Sequence, residues 1–154
     1  MTAATLFAAL LALLLLVAAA DDLRRRTIPN WLTAAVALGA IGWWWACGLS
    51  PWPDVALRLG TALAAFALFA GLFALGAMGG GDVKLIAALA LWFDPGRLLV
   101  MLFWMSLIGG ALTLVMLLAA RLRRAGAPEI PYGVAIAAAA LLVMANDVLT
   151  IGVA

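Results

Sequence analysis

Two carboxylates stand out in a chain that carries little charge. Asp82 follows three glycines in GGGDVK, residues 79–84, and precedes Lys84, the only lysine. Asp22 lies in DDLRRRTIPN, residues 21–30. Two carboxylates in one site share a proton, because like charges at short range resist double ionisation. One member then activates a water and the other protonates a leaving amine. Taken singly, each aspartate also fits a solvated helix boundary. Placed on one side of one small bundle, the pair points to acid–base hydrolysis.

Other chemistries lack their residues. There is no histidine, which removes His-based triads and most catalytic zinc designs. The single Cys47 cannot form an internal disulfide or a Cys-rich metal cage. The only serines, Ser50 and Ser106, have no evident base beside them. No metal and no organic cofactor is expected.

The elements that carry the carboxylates follow from hydropathy. The 154 residues are 69% hydrophobic and 10% charged. Several runs approach the ~20 apolar residues that cross a bilayer. An all-α polytopic membrane bundle of about six helices, one domain over 1–154, is therefore expected. Helices are the spanning form because backbone groups in lipid must be satisfied internally. The segments read as 3–21, 31–48, 55–77, 83–93, 98–120 and 132–151. The run at 7–20 has no basic residue before it and arginines after it, the reverse of a secretory signal, so it reads as a retained first helix.

Basic residues give the orientation. Arg24, Arg25, Arg26, Lys84, Arg121, Arg123 and Arg124 fall on one side, Arg58 and Arg97 on the other. By the positive-inside rule the first side is cytoplasmic, and both termini are periplasmic. The net charge of +2 and the pI near 9.3 thus reflect topology anchors, and no nucleic-acid partner is expected. Trp43, Trp44, Trp45 and Trp52 read as an aromatic belt at the outer interface. Asp54, Asp94 and Asp147 read as outer loop or interface residues, and Glu129 as a cytoplasmic loop residue.

Segment four is the shortest: eleven residues separate Asp82 from Asp94. At ~1.5 Å per residue it falls well short of a ~30 Å hydrocarbon core. The glycine stretch is expected to enter the membrane or its cytoplasmic face, where irregular backbone needs a protein-lined or wet cavity. Asp82, at the start of that segment, is favoured as the ionised member. Asp22, at the end of segment one, is favoured as the protonated member, with Arg24–Arg26 opposing.

These blocks together resemble the aspartic type IV prepilin peptidases. DLRRRTIPN is followed by GGGDVKLIAALALW, and IPYGVAIA (130–137) is similar to the family's Pro-Tyr-Gly start of the last helix. The likeness is greatest to the short, peptidase-only members of tight-adherence (Flp-type) pilus systems. The resemblance implies two catalytic aspartates. The first precedes the Ile-Pro-Asn turn by a fixed gap, and Asp22, seven positions before Pro29, fits where Asp21 does not. Adjacent helical residues also point about 100° apart, so only one of the two can face a partner. The second belongs to a Gly-x-Gly-Asp motif, matched by Gly79, Gly80, Gly81 and Asp82. Implied substrates are prepilins or pseudopilins, cut after a glycine at the cytoplasmic face. The Cys-rich insertion linked to N-methylation in longer members has no counterpart, so methyltransferase activity is not expected.

Supporting residues have competing readings. Gly79–Gly81 either admit substrate backbone to Asp82 or form a flexible loop. Lys84 either biases the pair's charge, meets an acidic substrate group, or anchors topology. Pro29 and Asn30 stop one helix and start the next. Gly109-Gly110 reads as a helix-packing site. Pro131-Tyr132-Gly133 has no assigned role. Two rival functions remain: a presenilin-type Gly-x-Gly-Asp intramembrane protease, which expects a Tyr-Asp pair where this chain has Ala20-Asp21-Asp22, and a small proton-coupled carrier, which more naturally shows inverted repeats.

Overall fold

The computed structural model describes residues 2–122 and 130–151. Six α-helices occur among them: α1 Ala3–Arg25, α2 Asn30–Ala46, α3 Ala56–Ala74, α4 Gly80–Ala90, α5 Pro95–Leu122 and α6 Tyr132–Ile151. A π-type turn, Pro51–Val55, leads into α3. The described residues contain no strand. Arg123, Arg124 and Glu129 lie outside the described residues, as does the side chain of Asp147.

Three helical stretches are long and apolar enough to cross a membrane by length and composition: Ala3–Arg25, Pro51–Ala74 and Pro95–Leu122. Their outer faces carry large apolar side chains such as Leu13, Leu63 and Leu99, each more than half exposed. Soluble monomers rarely expose continuous apolar surface on this scale. The fold is a helical membrane bundle.

Helix ends follow local chemistry. Thr2 caps α1 by accepting from the Thr5 N–H. Arg26 ends α1 in a left-handed conformation (φ 55°), its N–H donating to the Asp22 carbonyl at 3.0 Å. Gly76 (φ 73°) closes the turn after α3, with the Ala77 N–H donating to the Leu72 carbonyl. Asp94 opens α5, accepting from the Arg97 N–H and pairing with its guanidinium at 3.3 Å.

The short α4 is the hub of the bundle. It packs against α2, α3 and α6. Val83, Leu85, Ile86, Ala88, Leu89 and Ala90 are all buried. A helix that is apolar on nearly every side must be enclosed by others. The neighbours supply that enclosure, so an eleven-residue helix can sit inside the bundle.

Several expectations need correction. Helix α1 runs a turn past 21, through Arg25, because Arg24 and Arg25 suit the negative helix end and Asp22 is buried by packing. Helix α4 starts at Gly80, so Gly80 and Gly81 are helical and not a flexible loop. Arg58, expected as an outer anchor, is buried. Its guanidinium donates to the Trp92 carbonyl at 2.8 Å and lies 5.3 Å from the Trp43 ring centre. Two belt tryptophans are engaged in the interior: Trp43 lies 5.7 Å from Trp92, and Trp44 donates to the Leu91 carbonyl at 2.7 Å. Trp45 and Trp52 are exposed, as belt residues are.

Candidate active site

Asp22 sits near the end of α1 and is buried. Asp21 beside it is only half-buried. The Asp22 Oδ2 accepts from the Val134 N–H at 3.3 Å, and the Gly133 N–H also faces the carboxylate. Both amides belong to the first turn of α6, where N–H groups have no acceptor within their own helix. Asp22 of α1 therefore caps α6. Glycine at 133 leaves room for this approach. A Cβ there would lie 2.9 Å from the Asp22 Cγ and Oδ2, and 2.9 Å from the Ile28 Cδ1. The role of Pro131-Tyr132-Gly133, open in the sequence, is thus to bring the α6 N-terminus against Asp22.

Asp82 is in the first turn of α4, ahead of its apolar stretch. The Gly79 backbone N–H faces its carboxylate, the arrangement of the reciprocal half of a capping box. The glycines serve close packing. A Cβ on Gly81 would meet the Ile28 backbone N and O at 3.3 Å and its Cβ at 3.1 Å. The α1–α2 turn thereby lies directly on α4. A Cβ on Gly80 would press the Phe73 ring at 3.3 Å, and one on Gly79 would meet the Asp82 Oδ2 at 2.9 Å.

The two aspartates come together. Both line a cavity of about 340 Å³ whose other walls include Arg26, Met78, Gly79 and Tyr132. Both also line a second cavity, of about 210 Å³, with Arg26, Thr27, Ile28 and Gly79–Gly81. Two helix N-termini, of α4 and α6, converge on the pair and favour negative charge there. Burial acts in the opposite sense. For Asp82 burial wins: it, and next the neighbouring Asp22 carboxylate, push the Asp82 carboxyl up from 3.8 to about 6, against the Gly79 N–H.

The sign of this shift gives a measurable result. A carboxyl raised in the folded state binds its proton more tightly there than in the unfolded chain. Its stabilising share is complete below about pH 3.8 and is lost as pH rises through about 6. Asp82→Asn should therefore melt higher than the wild type in detergent at pH 8, with the gap closing toward pH 4. A gap that is constant with pH would show that Asp82 carries no such shift.

Lys84 is not at the pair. Its Nζ donates to the Asn30 Oδ1 at 2.8 Å, tying α4 to the first residue of α2. Pro29 precedes that helix in extended conformation, and Asn30 opens it. Gly109 packs under α6: a Cβ there would meet the Tyr132 ring at 3.3 Å, as a helix-packing site requires, whereas Gly110 faces open space. Tyr132, Gly133 and Arg26 are site residues that motif reading did not assign. The one available signal was the Pro-Tyr-Gly run opening the last helix. Among the described residues no three His, Cys, Asp or Glu side chains converge as metal ligands would.

The sequence profile of the Type IV leader peptidase family matches residues 9–114 of the 154. The chain belongs to that family. Asp22 and Asp82 both fall inside the matched region, and the Gly133 contact lies beyond it. No curated protein and no solved structure matches the chain in the same comparisons. Membership of the Type IV leader peptidase family makes this a peptidase-type protein in a helical membrane bundle.

Proposed function

We propose that this leader peptidase is an aspartic endopeptidase that removes the leader of Flp-type prepilins or pseudopilins. The observation that carries the reading is that Asp22 and Asp82, from helices far apart in sequence, line the same two cavities. In the proposed reaction one aspartate is ionised and takes a proton from water. The water oxygen bonds to the scissile carbonyl carbon. The C–N bond then breaks, and the protonated aspartate delivers its proton to the leaving amine. No metal or cofactor takes part, and the product amine is left unmethylated.

The dyad side is read as cytoplasmic in a bacterial inner membrane, with both termini periplasmic and six helices in one unit. The support is the basic side chains: Arg26 and Lys84 lie at the dyad end, Arg58 and Arg97 at the other. The test is purified protein incubated with a panel of prepilins, read by mass spectrometry. Cleavage after the leader glycine is expected, with reporter fusions after residue 26 reading cytoplasm and fusions near 51 the far side. Intact prepilins throughout the panel, with folded enzyme, would sink the substrate assignment. Reversed fusions would sink the orientation.

A further inference from the structure

Helix α4 has a second face with its own cavity. Asp82 and Lys84 are two positions apart, so by the helical repeat they point about 200° from one another. Behind Lys84 a cavity of about 450 Å³ opens between α2 and α3, with α4 as its floor. Lys84 and Asn30 stand at one end of it, joined by their 2.8 Å hydrogen bond. Ala37, Ala62, Phe66 and Ala87 line its length. From Lys84 to Leu91 the groove runs about 10 Å along α4 at ~1.5 Å per residue.

From this geometry we propose that the groove binds one anionic phospholipid, its phosphate on Lys84 and an acyl chain along the alanine-lined slot. Charge complementarity selects the occupant. Among the described residues Lys84 has no carboxylate partner, and only one hydrogen bond engages its three donors. A lysine at a membrane-helix end, exposed and beside a largely apolar slot in which Thr33 is the one other polar side chain besides Asn30, matches an anionic headgroup joined to an alkyl chain. A substrate chain fits less well, because its scissile bond must lie at the dyad, on the opposite face of α4. The bound lipid braces α2 against α4 through the Lys84–Asn30 end of the groove. The exclusion of substrate rests on the proteolytic reading, whereas the lipid-binding test is read without any cleavage assay.

The test is native mass spectrometry of the delipidated full chain, titrated with dioleoyl phosphatidylglycerol or dioleoyl phosphatidylcholine. One phosphatidylglycerol should be retained at least fivefold more strongly than phosphatidylcholine. Lys84→Gln should weaken it about fivefold, the effect of one basic residue near a lipid surface, and Lys84→Arg should restore it. Ala34→Phe, which fills the groove wall without touching the charge, should weaken retention of the same lipid. Equal retention of the two lipids, or retention indifferent to both Lys84→Gln and Ala34→Phe, overturns the site. Loss in Ala34→Phe alone overturns the headgroup pairing. Stoichiometric displacement of the lipid by an uncleaved prepilin would make the groove a substrate-docking face instead. An unfolded Ala34→Phe leaves the comparison of lipids and the Lys84 pair to decide.

Discussion

Asp82→Asn is expected to abolish leader cleavage while the bundle remains folded. The amide is nearly the same shape as the carboxylic acid but cannot exchange the proton that the reaction moves. Acid–base groups of this kind contribute roughly 10²–10⁴-fold, and loss of either member of a pair acting as a unit removes most of the rate. A fall of about 10³-fold or more in kcat/KM is expected for Asp82→Asn and for Asp22→Asn. Asp21→Asn is the control. Asp21 is half-buried and lines neither cavity of the pair, so its variant should keep most of the activity. The melting temperature of each variant reports folding separately. Full cleavage by folded Asp82→Asn would exclude the dyad mechanism, and loss in Asp21→Asn beside activity in Asp22→Asn would transfer the first role to Asp21.

Gly133→Ala is expected to cost activity through a single methyl group that touches no substrate. The added Cβ would lie 2.9 Å from the Asp22 carboxylate and from the Ile28 side chain, so one of them must move. Overpacking of this kind costs about 1–3 kcal/mol. If the displaced carboxylate carries that cost into the transition state, the rate falls roughly 5- to 150-fold. The loss should appear in kcat more than in KM, because the carboxylate and not a binding wall is displaced. Gly133→Val should be worse. Gly110→Ala, where a Cβ meets nothing within 4 Å, should be silent. Wild-type kcat in Gly133→Ala would mean that the α6 N-terminus does not position Asp22.

The same close packing explains a third glycine differently from its motif reading. Gly81 is helical, and its missing Cβ accommodates the Ile28 backbone. A valine there would push the α1–α2 turn off α4, rather than stiffen a loop. The aspartates would separate because Asp22 sits near the end of the helix that leads into that turn and Asp82 rides on α4.

The sequence by itself determined the membrane bundle, the order of its helices and the two motif blocks. Those features are local. Apolar run length reports spans, and each motif block lies within one helix and turn. Tertiary structure alone decided what holds the carboxylates. The Val134 amide that donates to Asp22 is 112 residues away, and the Asn30 that accepts from Lys84 is 54 residues away. Nothing local marks such pairs, because a glycine, an amide or a lysine has the same sequence signal whether it meets lipid, water or a partner helix. Arg58 shows the same limit. Its sequence position suits an interface anchor, but the Trp92 carbonyl and the Trp43 ring, brought together by α2 and the α4–α5 turn, give its charge a buried place. Burial likewise governs Asp82. The positive end of its own helix favours ionisation, a fact legible along the chain, while enclosure and the neighbouring Asp22 raise its carboxyl and are set only when α1, α4 and α6 meet.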